Sequence, residues 1–135
     1  MMQIRELMST TLVTVELDDS LNTVKNIFDK ARFHHLLVVE EGRLFGVVSD
    51  RDLLRALSPF AGTIVETPRD QATLNKRVHQ VMSRKPLTLR PEATITEAVQ
   101  MFLEHGVSCL PVVDEAFRPV GIVTWRDLLR ALAPA

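Results

Sequence analysis

Two short segments carry a hydroxyl, a guanidinium and a carboxylate at the same spacing: Ser49, Arg51 and Asp52, and again Thr124, Arg126 and Asp127. Each set closes an apolar run that opens on glycine, Gly46-Val47-Val48 or Gly121-Ile122-Val123, and each precedes an apolar helical pattern. A strand running into a helix N-terminus presents unpaired N–H groups and the positive end of a dipole, which suits a phosphate. Arginine adds a planar cationic fork beside it. The acid would repel a phosphate but can accept hydrogen bonds from the adjacent hydroxyls of a ribose, so the set suits a nucleotide. Glycine lets a ligand come close to the backbone. The same spacing also fits the capping box, [ST]-x-x-[DE], whose pair does no more than satisfy the first free N–H groups of a helix. Spacing alone leaves both readings open.

The elements that position these residues occur twice, because the chain aligns with itself. Leu7-Met8-Ser9 falls on Val81-Met82-Ser83, Phe28 on Phe102 and Val38-Val39 on Val112-Val113, at an offset of 74. One extra residue near Phe117-Arg118 makes the offset 75, and the segment from Gly46 to Leu57 then falls on Gly121 to Leu132. Each repeat reads as strand, helix, strand, strand, helix. Leu12 to Val15 is β-prone, and Asp18-Asp19-Ser20 starts a helix carrying Leu21, Val24, Ile27, Phe28 and Ala31 at helical spacing. Thr94 and Glu97 form a capping box before the stripe of Ile95, Ala98, Val99, Phe102 and Leu103. Leu36 to Val39 and Leu44 to Val48 flank a hairpin turn, and Leu110 to Val113 and Val120 to Val123 repeat it around a longer turn. Residues 1–59 and 81–135 are thus the two repeats, with 60–80 a helical linker. Pro68 follows Thr67 as a first helical residue should, and Leu74, Val78, Val81 and Met82 predict one connecting helix packed along one face.

A repeat of about 55 residues buries a small fraction of its surface and is marginal alone. The two are expected to pack face to face as an α/β (α+β) module with a pseudo-two-fold axis and two related clefts. Composition fits a globular chain: 46% of the 135 residues are apolar and 24% charged. Sixteen basic against 17 acidic side chains give a net charge of -1, which argues against bulk attraction to nucleic acid or anionic lipid. Arg5 and Glu6 stand where a signal peptide needs an apolar stretch, no apolar run approaches the ~20 residues of a membrane span, and the lone Cys109 has no disulfide partner. The chain reads as cytoplasmic.

With the repeats in view, the sequence resembles a tandem pair of CBS domains, the family named for cystathionine β-synthase. The resemblance runs from Leu7 to Pro134. It rests on Met8-Ser9 and Met82-Ser83, on the segments His34 to Val39 and Ser108 to Val113, and on the Gly-h-Val-Ser/Thr-x-Arg-Asp close of each repeat. It implies two β-α-β-β-α units forming a regulatory module that binds AMP, ADP, ATP or S-adenosylmethionine. Carried onto this chain, Ser49 and Thr124 resemble the hydroxyls near phosphate or ribose, and Asp52 and Asp127 the ribose acceptors. Thr14-Val15 and Thr88-Leu89 take the first-strand position that borders adenine. His34 and His35 stand where some members set basic side chains against phosphates; Ser108 and Cys109 replace them in the second repeat. Pro111 matches the family, Leu37 does not, and Trp125 fills a variable position where its bulk would occlude a cleft.

Other chemistry has less support. Adjacent histidines on a strand point to opposite faces and make poor joint ligands for a metal. Cys109, in an apolar run, reads as a small core residue rather than a nucleophile, and no phosphate-binding loop signature or catalytic set is present. Two functions follow: a ligand sensor signalling to a target protein in trans, or a ligand-free dimerisation and docking module. Stripes at Leu53-Leu54-Ala56-Leu57 and Leu128-Leu129-Ala131-Leu132 look too wide for one chain to cover and predict a homodimer.

Overall fold

In the computed structural model, which describes residues 2–31, 33–60 and 64–133, the apolar runs on either side of Glu41-Gly42 become strands β2 (His35–Glu40) and β3 (Arg43–Ser49). Glu41 and Gly42 both take positive φ, 51° and 77°, the backbone that a tight turn between right-twisted strands requires. Strand β1 (Thr14–Glu16) runs parallel to β2, with Val15 opposite Val38. Helix α1 (Leu21–Lys30) lies between them in sequence, its N-terminus capped by Ser20 Oγ, which accepts from the Thr23 N–H at 3.2 Å. Helix α2 (Asp50–Ala56) continues directly from β3. The second repeat gives α5 (Ile95–His105), β5 (Cys109–Val113), β6 (Pro119–Thr124) and α6 (Trp125–Leu132), with β5 and β6 antiparallel. Thr94 Oγ1 caps α5 by accepting from the Glu97 N–H, as its spacing predicts.

The stretch joining the repeats holds two helices rather than one. Helix α3 (Pro68–Leu74) starts on Thr67 with proline at its first position, and α4 (Val78–Val81) follows after a break. The break has a local cause. The Lys76 carbonyl accepts from the Leu21 N–H at 2.8 Å, and Arg77 is extended and bridged to Ser20, so both residues are withdrawn from helical geometry. Val78 and Met82 are buried as expected, whereas α3 buries nothing.

Packing divides the chain into two compact units that regroup the sequence repeats. The first-repeat unit holds Val13–Glu40 and Phe45–Lys85; the second-repeat unit holds Met1–Leu12, Glu41–Leu44 and Pro86–Ala135. The opening segment of each repeat therefore completes the body of the other. In the first-repeat unit β4 (Ser83–Arg84) pairs antiparallel with β3, setting Ser83 opposite Val47. In the second, Ser9 and Ile122 exchange N–H···O bonds at 2.9 and 3.0 Å, the same pairing displaced by the repeat offset. The hydrogen bonds from Val78 N–H to Asp19 and from His79 N–H to Leu17 recur as Ile4 to Ala93 and Arg5 to Pro91.

Each unit has its own core. Val15, Leu21, Val24, Leu36, Val38, Val48, Leu53, Val78 and Met82 fill the first. Ile4, Leu89, Ala98, Phe102, Leu110, Val112, Val123 and Leu128 fill the second. Side chains from an opening segment, Met82 in one and Ile4 in the other, are integral to both.

Candidate functional site

The hydroxyl, guanidinium and acid of each repeat meet where a strand turns into a helix. In the first-repeat unit Ser49 ends β3 and caps α2: its Oγ accepts from the Asp52 N–H at 3.1 Å, and Asp52 Oδ2 accepts from the Ser49 N–H at 2.9 Å. The capping box is thus formed, and it uses one oxygen of Asp52. Both residues are half-buried, while Arg51 is exposed. His34, just ahead of β2, reaches the same corner: its Nδ1 lies 2.9 Å from Asp50 Oδ2, and its carbonyl accepts from the Asp50 N–H at 3.0 Å. Slight burial alone would raise the Asp50 carboxyl, but the hydrogen bond and charge of His34, with the Arg51 N–H, hold it below the usual range. His35, half-buried at the start of β2, has its imidazole pushed below the ordinary value by burial, against the pull of Asp50 and Asp52. Thr14 is exposed on β1, and Val15 beside it is a core residue.

The second-repeat corner repeats the plan with different chemistry. Thr124 ends β6, and its N–H and hydroxyl both donate to Asp127 Oδ2, at 2.8 and 3.2 Å. Cys109 stands opposite Thr124 across the ladder. It is buried, and that burial pushes its thiol up to about 12, so it has the inert character of a core cysteine. Pro111 is buried and its carbonyl accepts from the Leu89 N–H at 2.9 Å. Leu89 is a core residue, Thr88 half-buried, Ser108 and Arg126 exposed. The Trp125 ring packs on Phe102, with centroids 5.0 Å apart and planes inclined by 36°. Of the residues expected to line a ligand, Ser49, Asp52, His34 and His35 are brought to one corner, and Thr124, Asp127 and Cys109 to the other. Val15 and Leu89 turn inward to the cores of their units, and Cys109 and Pro111 are buried on β5 without joining the cluster that Leu110 and Val112 fill.

The two motif glycines do not leave room for a ligand. A Cβ on Gly46 would sit 2.7 Å from the Ser83 carbonyl oxygen and 2.8 Å from Met82 Sδ, and one on Gly121 would collide with Met8 Sδ. The close approach that glycine permits is made by the Met-Ser opening of the other repeat. This corrects the expectation that a ligand takes that space, and it shows why Met-Ser and Gly-h-Val recur together. Met8 and Met82, and Asp50 as the partner of His34, are the residues that reading the sequence missed. The signal for Asp50 was its alignment with Trp125.

Depressions near the candidate residues are open. One of about 210 Å³ is lined by Asp52, Arg55, Ala56 and Val81. Another of about 570 Å³ includes Thr88, Leu89, Arg90, Glu97 and Met101. Among the described residues no three His, Cys, Asp or Glu side chains converge as a metal site, and no helix is long and apolar enough to cross a membrane.

Comparison with known proteins is consistent along the chain. The family model for the CBS domain matches twice, at residues 4–59 and 78–134. A CBS domain-containing protein of Dictyostelium discoideum is 34% identical over 131 residues, covering 96% of this chain and 90% of that one. Among solved structures, CBSX2 in complex with AMP superposes with a TM-score of 0.79 at 25% identity, over 96% of this chain and 95% of the other. The cytosolic domain of the Mg2+ channel MgtE in complex with ATP gives 0.74 at 30% identity, over 93% of this chain and 46% of that one.

Proposed function

The chain belongs to the CBS-domain family, and from that premise we propose that it is a regulatory module that binds an adenosine ligand at its hydroxyl-acid corners and signals to a partner protein. The observation that carries this reading is that in both units the acid is held through Oδ2 by the backbone N–H of the hydroxyl residue, Asp52 by Ser49 and Asp127 by Thr124, with Oδ1 taking no part in that bond. A carboxylate already held by a backbone N–H loses little rotamer freedom when it accepts ribose hydroxyls, so capping and binding reinforce each other. The exposed Arg51 and Arg126 lie one residue away, suited to phosphate. CBSX2 with AMP and MgtE with ATP support an adenine nucleotide as the ligand class. In this reading no cofactor is needed, the setting is cytoplasmic, and the output lies on a target protein in trans.

One observation favours a second reading, a dimerisation and docking module. Leu53 and Leu128 are buried, but Leu54 is 73% exposed on α2, and Leu129 and Leu132 are 62% and 76% exposed on α6. These are the leucines that the two stripes left over, and they suit a homodimer through the same helices.

Thermal unfolding with AMP, ADP, ATP and S-adenosylmethionine separates the readings. A sensor gains about 2.7 kcal/mol at a ligand concentration one hundred times Kd. Asp52→Ala and Asp127→Ala then weaken affinity roughly 10- to 100-fold, the worth of a hydrogen bond to a charged group. A docking module shows no ligand shift in any form, and the same substitutions cost only the cap, about 0.5–2 kcal/mol.

A further inference from the structure

Asp50 and Trp125 hold the same place in the repeat, immediately after the capping hydroxyl, and they give the two corners different charge. In the first-repeat corner the His34 imidazole, which the adenosine reading turns toward phosphate, is already committed to an acid of its own chain. Asp50 Oδ2 lies 2.9 Å from His34 Nδ1, and the Asp50 N–H holds the His34 carbonyl at 3.0 Å. In the second-repeat corner the matching residues, Ser108 and Trp125, carry no charge, and the indole lies back on Phe102. Asp50 and Asp52 set two carboxylates beside the one guanidinium of Arg51 in the first corner, whereas Asp127 and Arg126 stand one to one in the second. One extra carboxylate a few ångströms from a phosphate in a half-solvated corner weakens its binding about tenfold.

Resting on the adenosine reading above, we propose that Asp50 is a specificity-determining residue that turns the first-repeat corner away from phosphate-bearing ligands and leaves it to an uncharged adenosine compound. The phosphate-bearing ligand goes to the second-repeat corner. Titration calorimetry with adenosine and with AMP, which differ only in the phosphate, reads this directly. In Asp127→Ala, where the second-repeat corner is weakened roughly 10- to 100-fold and the tighter site is the first, that site takes adenosine more tightly than AMP, and adding Asp50→Asn raises its AMP-to-adenosine affinity ratio about tenfold. Should Asp127→Ala unfold, the same rise is read at one of the two sites of the Asp50→Asn single variant. A ratio unchanged within twofold, AMP tighter than adenosine with Asp50 in place, or adenosine binding lost altogether in a folded Asp127→Ala protein overturns the assignment and leaves the adenosine reading standing. Absence of binding by either compound to the unsubstituted chain overturns both.

Discussion

The two units follow one plan with ladders of different length. In the first, β1 to β4 make a four-stranded sheet; in the second, β5 and β6 are extended only by single bridges at Leu89 and Ser9. Part of the difference traces to one residue. The Leu37 N–H donates to the Val13 carbonyl at 3.1 Å and extends the β1–β2 ladder, but the matching residue, Pro111, has no N–H to offer Leu87. Leu89 keeps its remaining bonds, to the Pro111 carbonyl and from the Val113 N–H, and the core around it stays closed. Cores and caps thus hold the fold in both units, while ladder length, corner charge and buried titratable groups are free to diverge.

Substitutions at matched positions sharpen the contrast. Phe102 is buried at 2% exposure and carries the Trp125 ring, whereas Phe28 is half-buried at the edge of its core. Phe102→Ala is expected to cost about 3–5 kcal/mol, the range for a buried aromatic, and Phe28→Ala clearly less, in urea denaturation of both variants. Equal costs would mean that the indole adds nothing to its unit.

The glycines come next. Overpacking a well-filled site costs roughly 1–3 kcal/mol. Gly46→Ala falls in that range because a backbone carbonyl, Ser83 O, blocks the new methyl, while at Gly121 the nearest atoms belong to the flexible Met8 side chain, which can move. Chemical denaturation should therefore rank Gly46→Ala as the more damaging; the reverse order would show that the exchanged openings do not pack as described.

The smallest effects lie in pH. His35 and Cys109 are matched residues, and burial perturbs both in opposite directions. Because the folded-state imidazole of His35 is lowered, the unfolded chain takes up the proton first, and stability is lost as pH falls below 6.5. Because the thiol of Cys109 is raised from 9.0 to about 12, the unfolded chain ionises first, and stability is lost as pH rises above 9.0. His35→Gln should flatten the acid side of the stability profile and Cys109→Ala the alkaline side; a profile unmoved by either removes burial as the cause.

Local signals were legible in the chain before the structure. Thr94 with Glu97 and Thr67 with Pro68 marked helix starts within one residue, and short apolar runs on either side of polar turns marked β2, β3, β5 and β6. The exchange of opening segments was not legible, because pairings such as Ser9 with Ile122 join residues more than a hundred positions apart and leave no periodicity. The same blindness explains the connecting helix: Leu74, Val78, Val81 and Met82 keep helical spacing, yet Leu21 captures the Lys76 carbonyl from far along the chain. At the corners, a glycine that admits a ligand and one that admits a methionine look alike in sequence.

The central claim is that the carboxylates of Asp52 and Asp127 hold an adenosine ligand as well as capping their helices. Titration calorimetry of AMP against the intact chain and the Asp52→Ala/Asp127→Ala double variant tests it most directly. The account predicts saturable heat from the intact chain and an affinity lowered roughly 10- to 100-fold in a folded double variant. Equal affinity in both, or no heat from the intact chain, would contradict it.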